Sequence, residues 1–432
     1  MDTKIILQVL REQQEEVSNY QPSRWCERSE EKLFEWDSSM AQVVTGVRRS
    51  GKSTLCHRAL KNRGVKYGYA NLDDDRLYGI QTSDLNSLLE CIYQLYGPDV
   101  RYVFFDEIQN VDGWYLFVNR LLRIGMHVFV TGSNAKLLSG ELATHLTGRY
   151  MEIRLYPFSF LEYCQLMKVD VSDITTKAVA MRKSALLQYL MEGGMPELKK
   201  IQSARNRKTY MAGLVETIVS KDIARRFKIR NVEALRRIAN HLINNNCQLV
   251  DYGQLAEMAL LNSNTTVQSY VSYLQQAYLI RRLSKFSYKS VERITKEKSY
   301  VIDTGFIANR ENSLLPENIG WRLENAVYVE LLRRNQLEAD IIYYYKPGPR
   351  SKEVDFVVCQ QGQVRELIQV AYSVSEGKTF KRETESLVAV GEALHCDNMK
   401  VICLDETRNV TVAGHNVQIC SALDWLLEKK SV

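Results

Sequence analysis

Residues 46–54 read Gly46, Val47, Arg48, Arg49, Ser50, Gly51, Lys52, Ser53 and Thr54, the spacing G-x-x-x-x-G-K-[ST]. Each fixed position suits a bound polyphosphate. The two glycines let the backbone curl so that its N–H groups point inward at phosphate oxygens. Lys52 supplies a charge for the β- and γ-phosphates, and the Ser53 hydroxyl can take a place on Mg²⁺. Further on, Tyr102-Val103-Phe104-Phe105-Asp106-Glu107 puts two acids at the end of an apolar run. A metal-bound phosphate needs one acid for the ion, here Asp106, and one to polarise the attacking water, here Glu107. ATP and Mg²⁺ are the implied cofactors and hydrolysis the implied chemistry.

These groups work only at strand ends. Met40–Thr45 is apolar enough for a buried strand, and Leu55, Ala59 and Leu60 continue at helical spacing, so the loop falls at a strand-to-helix junction whose helix dipole favours an anion. Strands are expected at 65–72, 102–106 and 128–131, with helices at 85–95 and 116–122 between them. That alternation implies a parallel sheet with ligands at its C-terminal edge. Ser133 and Asn134 follow the 128–131 strand and could each reach the γ-phosphate or the water. The spacing of Ile6, Val9 and Leu10 predicts a short amphipathic helix at the N-terminus. His57, early in the loop helix, is expected at the surface.

Three further stretches carry a resemblance: Gly132-Ser133-Asn134-Ala135-Lys136-Leu137-Leu138-Ser139, Leu146-Thr147-Gly148-Arg149, and Leu155-Tyr156-Pro157-Phe158-Ser159-Phe160-Leu161-Glu162-Tyr163. With the Gly-x-Arg-Arg form of the loop, Asp106-Glu107-Ile108-Gln109, Gly193-Gly194-Met195-Pro196-Glu197 and Lys221-Asp222-Ile223, the chain resembles a large prokaryotic family. Its members join an AAA-type ATPase core to a C-terminal domain of unknown function. The resemblance implies that Arg149 reaches a neighbouring subunit's γ-phosphate, where a cation stabilises the transferring group. Catalysis would then rest on Glu107, Lys52, Arg149 and Asn134, in a homo-oligomer forming a ring or part-ring. A second sensor arginine is left open among Arg205, Arg207, Arg225 and Arg226.

Residues 165–228 read as a helical lid with an apolar stripe of Leu186, Leu187, Leu190 and Met191. Residues 229–295 read as a winged helix-turn-helix, three short helices followed by a basic hairpin. Its third helix, capped by Ser263-Asn264, would present Thr265, Thr266 and Gln268 to DNA, and Arg281, Arg282, Lys285 and Lys289 would meet phosphates. Two basic runs, Lys221 to Arg237 and Arg281 to Lys298, support a DNA partner, branched or duplex. In 296–432 the order of strands and helices resembles the restriction-endonuclease-like fold. Glu324 and Asp355 match its first acids. Gln369 and Ala371 stand where Glu-x-Lys is expected, and Glu366 would face the other side of its strand, so the nuclease site is read as degenerate.

The expected architecture is therefore α/β: a P-loop NTPase core with a parallel sheet (1–164), helical lid, winged-helix domain and nuclease-like domain. The 432 residues, 45% hydrophobic and 25% charged with net charge +6, fit a multidomain globular chain. No apolar run is long enough for a membrane span, the N-terminus turns polar too soon for a secretory signal, and nine scattered cysteines point to reduced thiols in the cytoplasm. The function expected is ATP-driven binding or remodelling of DNA. A regulatory NTPase switch whose C-terminal half docks proteins is the alternative, and an active DNA nuclease is a third.

Overall fold

The computed structural model describes residues 1–19, 26–132, 146, 148–309, 319–338, 340–348, 351–375 and 377–428. Their contacts divide into two units, Met1–Leu155 and Tyr156–Val432.

In the first unit, five parallel strands lie in the order β2-β3-β4-β1-β5. They are β1 (Ala41–Thr45), β2 (Tyr67–Asn71), β3 (Tyr102–Asp106), β4 (His127–Gly132) and β5 (Tyr150–Arg154). Four helices accompany them: α1 (Thr3–Ser18), α2 (Lys52–Arg63), α3 (Leu85–Tyr96) and α4 (Trp114–Arg123). The strands are nearly continuous apolar runs because both sheet faces are covered. Alternation divides the side chains between the faces. Val43, Val103, Phe105, Val128 and Val130 pack with Ile6, Val9 and Leu10 of α1 and with α3 and α4. Val44, Phe104 and Phe129 pack with Leu55, Cys56 and Leu60 of α2. Gln13 of α1 ties the end of β2, its amide donating to Asn71 O at 3.1 Å and its oxygen accepting Asn71 N–H at 2.9 Å.

His57 corrects the sequence expectation. It is buried, edge-on to Tyr69 at 4.6 Å and to Phe104 at 4.9 Å, with Nδ1 2.9 Å from the Tyr67 hydroxyl. The sheet, invisible to local sequence, supplies the aromatic cover.

The second unit opens with α5 (Phe160–Met167), α6 (Thr176–Glu192) and α7 (Ala204–Thr217), after which Ile218–Arg225 is wound as a π-helix. The boundary expected at 164 falls inside α5: Phe160, Tyr163 and Cys164 join Leu186, Leu190, Leu323 and Val327 in one core. Leu187, expected in the apolar stripe of α6, is 37% exposed.

Next come α8 (Val232–Asn244), β6 (Gln248–Leu249), α9 (Tyr252–Met258), α10 (Asn264–Gln276), β7 (Ile280–Ser284), α11 (Ser290–Thr295) and β8 (Glu297–Val301). Ser263 caps α10, whose Val267, Tyr270, Val271 and Leu274 are buried as their spacing predicts. The small sheet has the order β6-β8-β7, antiparallel throughout. Its central strand β8 lies past the boundary expected at 295, because pairing with β7 cannot be read from local pattern.

The rest holds α12 (Ile319–Glu338), β9 (Ile341–Tyr345), β10 (Val354–Gln360), β11 (Gln363–Val370), α13 (Lys378–Leu394), β12 (Met399–Cys403), β13 (Arg408–Val412), β14 (His415–Ser421) and α14 (Ala422–Leu427). Its mixed sheet runs β13-β14-β12-β11-β10-β9, with β9 and β13 at the edges.

Burial, and secondarily the charge of Lys61, pushes the His57 imidazole down to about 3 from 6.5. Below pH 6.5 the unfolded chain therefore binds a proton at His57 that the folded chain refuses. Stability should fall as pH drops from 6.5 towards 3, by about 1.4 kcal/mol per unit from this group. Denaturant unfolding between pH 7 and 5 should show that slope reduced in His57→Phe. Equal slopes in the two proteins would contradict it.

Candidate functional site

The phosphate loop leaves β1 at Thr45 and enters α2. Gly46 takes φ 149° and lies so close to β5 that a Cβ there would meet the Leu155 carbonyl oxygen at 2.2 Å. Gly51, at φ 96°, is the N-cap of α2. No other residue suits either place. The Lys52 ammonium, almost wholly buried, donates to the loop's own carbonyls at Gly46 (3.3 Å) and Val47 (3.2 Å). A phosphate is a stronger acceptor than either. The Ser50 hydroxyl oxygen is buried and has no hydrogen-bond partner among the described residues, an open donor beside the loop. Arg28, from the segment before β1, donates to the Ser50 carbonyl at 3.5 Å and lies 3.6 Å from the Glu30 carboxylate. Sequence reasoning had no signal for Arg28, since nothing local ties it to the loop.

Asp106 ends β3 and is buried. The Thr131 hydroxyl donates to its Oδ1, the Tyr69 hydroxyl lies 3.4 Å from its Oδ2, and the Ser53 hydroxyl is also bonded to it. Burial raises the Asp106 pKa, with help from the charge of Glu107, against the bonds from Thr131 and Ser53. Glu107 turns out of the strand in a left-handed conformation (φ 51°). Its N–H donates to Thr131 Oγ1 at 3.2 Å, and the Gln109 amide donates to its carboxylate. Thr131 thus holds both acids in place. It is the residue that the sequence reading missed, although a polar side chain ending the strand next to β3 was a legible signal.

The donors fit the groups they would hold. Ser53 and Asp106 offer the hard oxygens that Mg²⁺ prefers, and Gly46, Ser50 and Lys52 form a cradle of polyphosphate type. Arg149 is exposed just ahead of β5, its carbonyl accepting Ala41 N–H at 3.0 Å. Ser133 and Asn134 lie outside the described residues.

In the second unit, Glu324 of α12, Asp355 of β10 and Gln369 of β11 line one pocket. The surprise is Lys298 of β8. Its buried ammonium lies 3.6 Å from Glu324 and 3.8 Å from Asp355 and is ion-paired with Glu353. A cation from a distant strand thus sits among these acids, which only the pairing of β8 with β7 and β6 could reveal. Gln369 accepts from Asp355 N–H at 3.3 Å and donates to Glu383 at 2.9 Å, so it serves as a connector. Burial lowers the lysine's proton affinity, but the surrounding carboxylates outweigh it and keep the ammonium charged. Burial pushes Glu324 and Asp355 upward, and Asp355 further through the charge of Glu324. Among the described residues no group of three His, Cys, Asp or Glu side chains could hold a metal ion. Glu366 pairs with Lys400 instead.

Of the residues expected to touch DNA, Thr265 and Gln268 on α10 and Lys289 are exposed, while Thr266 is half-buried. Arg281 lies over the Tyr278 ring at 4.6 Å. Two corrections arise at the strand roots: Arg282 pairs with Glu297 at 2.8 Å, and Lys285 is buried and pairs with Glu292 at 2.7 Å. Both charges are neutralised within the fold, one by Glu292 of the β7–β8 connection and one by Glu297 at the start of β8. Of the candidate sensor arginines, Arg207 pairs with Glu192 at 2.8 Å, Arg226 lies over the Phe227 ring, and Arg205 and Arg225 are exposed.

A parallel sheet carrying this loop and acid pair matches the description "AAA domain" over residues 38–164. The first unit is the core of an AAA-type ATPase, and the protein is an ATP-hydrolysing enzyme. Residues 183–313 and 320–422 match two domains of unknown function, DUF8612 and DUF4143. The chain belongs to the same family as an uncharacterized protein of Methanocaldococcus jannaschii, to which it is 33% identical over 403 residues, 89% of this chain and 88% of that one. An uncharacterized protein of Haemophilus influenzae is 29% identical over 410 residues, covering 91% of this chain and 95% of the other. Among solved structures, the Walker-type ATPase PABY2304 of Pyrococcus abyssi is similar at 16% identity and a TM-score of 0.44, covering 66% of this chain and 95% of that one. The RuvB Holliday junction branch migration motor of Thermotoga maritima is similar at 17% identity and a TM-score of 0.25, covering 56% and 82%. Scores this low carry no argument about this chain.

Thr131→Val keeps the shape and removes the hydroxyl that orients both acids. ATP turnover should fall by roughly 10–100-fold, the usual cost of losing an outer-shell partner, while a fluorescent ATP analogue still binds. Unchanged turnover would remove Thr131 from the site. Lys298→Met should destabilise the second unit by about 3–5 kcal/mol at pH 8, because buried carboxylates lose their counter-charge. Protonation of Glu324 and Asp355 should recover part of that loss at pH 5. Unfolding by denaturant at the two pH values measures it, and a pH-independent loss would contradict the charge account.

Proposed function

We propose that this ATPase couples ATP binding and Mg²⁺-dependent hydrolysis to the binding or remodelling of DNA, acting as a homo-oligomer with shared active sites. In the proposal, Gly46–Thr54 cradles the phosphates, with Lys52 neutralising their charge. Ser53 and Asp106 would hold the ion, which supplies charge neutralisation at the phosphates when bound. Glu107, fixed by Thr131 and Gln109, orients the attacking water. Arg149, exposed at the rim of the sheet, would complete a neighbour's site, with Asn134 or Ser133 as the polar group at the γ-phosphate.

The observation that carries the DNA reading is the arrangement of 232–301. Helix, short strand, two helices, a strand, the short α11 and a last strand, with β8 between β6 and β7, support the reading of a winged helix-turn-helix with α11 inserted in its wing. Its third helix, α10, leaves Thr265 and Gln268 exposed for a groove. Lys221, Arg225, Lys228 and Arg230, exposed around the π-helix and the turn after it, form no ion pair among the described residues and suit a phosphate backbone.

Two other readings retain specific support. Internal pairing of Arg282 and Lys285 leaves less free charge for DNA and favours the regulatory switch, in which the C-terminal half docks proteins. Bringing Lys298 to Asp355 restores one element of a nuclease, but the lysine occupies the space among the acids with its own charge, which favours a site without cleavage. The nine cysteine thiols, most of them buried, suit a reducing compartment, and we place the protein in the cytoplasm. No helix among the described residues is long and apolar enough to cross a membrane.

Duplex, branched and single-stranded DNA should stimulate ATP turnover at low salt, with the stimulation falling as salt rises. Glu107→Gln should abolish turnover and keep ATP binding. Arg149→Ala should do the same, and mixing it with Glu107→Gln should restore part of the activity, because each variant supplies what the other's interface lacks. If no DNA form binds or stimulates, the DNA reading fails. If Arg149→Ala turns over normally, the shared site fails.

A further inference from the structure

Between β7 and β8 the chain projects a short connection, residues 285–296, whose tip carries Tyr288. This ring is 90% exposed. It is backed from within: Phe286 meets it edge-on at 5.6 Å and is itself braced edge-on by Tyr343 at 5.7 Å and Tyr345 at 6.0 Å, both on edge strand β9. The Phe286 N–H donates to Tyr344 O at 2.7 Å. The Lys285–Glu292 ion pair closes the root of the connection. Tyr288 therefore presents an open aromatic face on an anchored base.

The exposed charged residues of the connection, Lys289 and Lys296, are both basic. Glu292 and Glu297, the two acids of the connection and of adjoining β8 up to residue 297, are engaged with Lys285 and Arg282. Lys289 is exposed and, among the described residues, forms no ion pair; Lys296 is exposed and lies near enough to Glu292 for its charge to help hold that acid's pKa down. An exposed aromatic face beside exposed cations complements a partner that offers flat π-surfaces strung on a polyanion. Bases stack on such a ring whatever their sequence, while the cations follow the backbone.

We infer that Tyr288 stacks on an unpaired nucleobase, so that the nucleic acid recognised is single-stranded or opened at an end or junction. This rests on the DNA reading above and adds to it the class of strand that this tip takes.

The test uses the full chain and three fluorescein-labelled probes: a single strand, an abasic strand of equal length with the same phosphates, and the duplex of the same sequence. The wild type should bind the base-bearing strand more tightly than the abasic one. Tyr288→Ala should weaken binding of the base-bearing strand about tenfold or more, leave abasic binding and its salt dependence unchanged, and leave basal ATP turnover intact. Tyr288→Phe should bind as the wild type does. Equal binding of the base-bearing strand by wild type and Tyr288→Ala, or an equal loss on the base-bearing and abasic strands, overturns the stacking inference and leaves DNA binding standing. If the wild type binds none of the three probes, both fall, and the tip is left as a surface for protein docking.

Discussion

A buried carboxylate at the end of β3 sets the conditions for the nucleotide site. Asp106 is taken out of water, which raises its pKa, and the hydroxyls that converge on it, with the charge of Lys52, oppose that rise. Those hydroxyls come from three places: Thr131 from the neighbouring strand, Ser53 from the loop helix and Tyr69 from the strand on the other side. The order β2-β3-β4-β1 makes that convergence possible. With β4 between the loop strand and the acid strand, Thr131 can bond Asp106 through its hydroxyl and receive the N–H of Glu107. The close pass of Gly46 under Leu155 fixes the other side of the site through β5.

The second unit faces the same problem, acids brought together away from water, and resolves it with Lys298. An ammonium on a fixed strand supplies counter-charge permanently, where an exchangeable ion would come and go. The consequence is structural: β8, α12 and β10 are held together by one charge cluster. Gln369 extends it by linking the Asp355 backbone to Glu383, a task to which a neutral amide, donor and acceptor at once, is suited.

Much of the first unit was legible because its signals are local. The loop's glycines answer to backbone dihedrals, the strands to apolar runs and the helices to spacing, and all are properties of a few consecutive residues. The same holds for α8 and α10, whose buried positions follow the helical period. What could not be read depends on partners far along the chain. His57 looks like a surface residue until β2 and β3 supply Tyr67, Tyr69 and Phe104. Arg282 and Lys285 look available to phosphates until Glu297 and Glu292 fold against them. The boundaries at 164 and 295 cut through α5 and ahead of β8, since which core an element joins is a matter of tertiary contact.

The sequence by itself determined the chemistry that the ATPase core can perform, because G-x-x-x-x-G-K-[ST] followed by Asp106-Glu107 restricts the backbone and the donors to one kind of ligand. Tertiary structure alone decided how those groups are held and which charges remain free. Thr131 reaches Asp106 through strand order, and Lys298 reaches Glu324 and Asp355 through the pairing of β8 with β7 and β6. The physical reason is the same in both: a hydrogen bond or ion pair acts over a few ångströms, and residues far apart in the chain come within that range only once the sheet has formed.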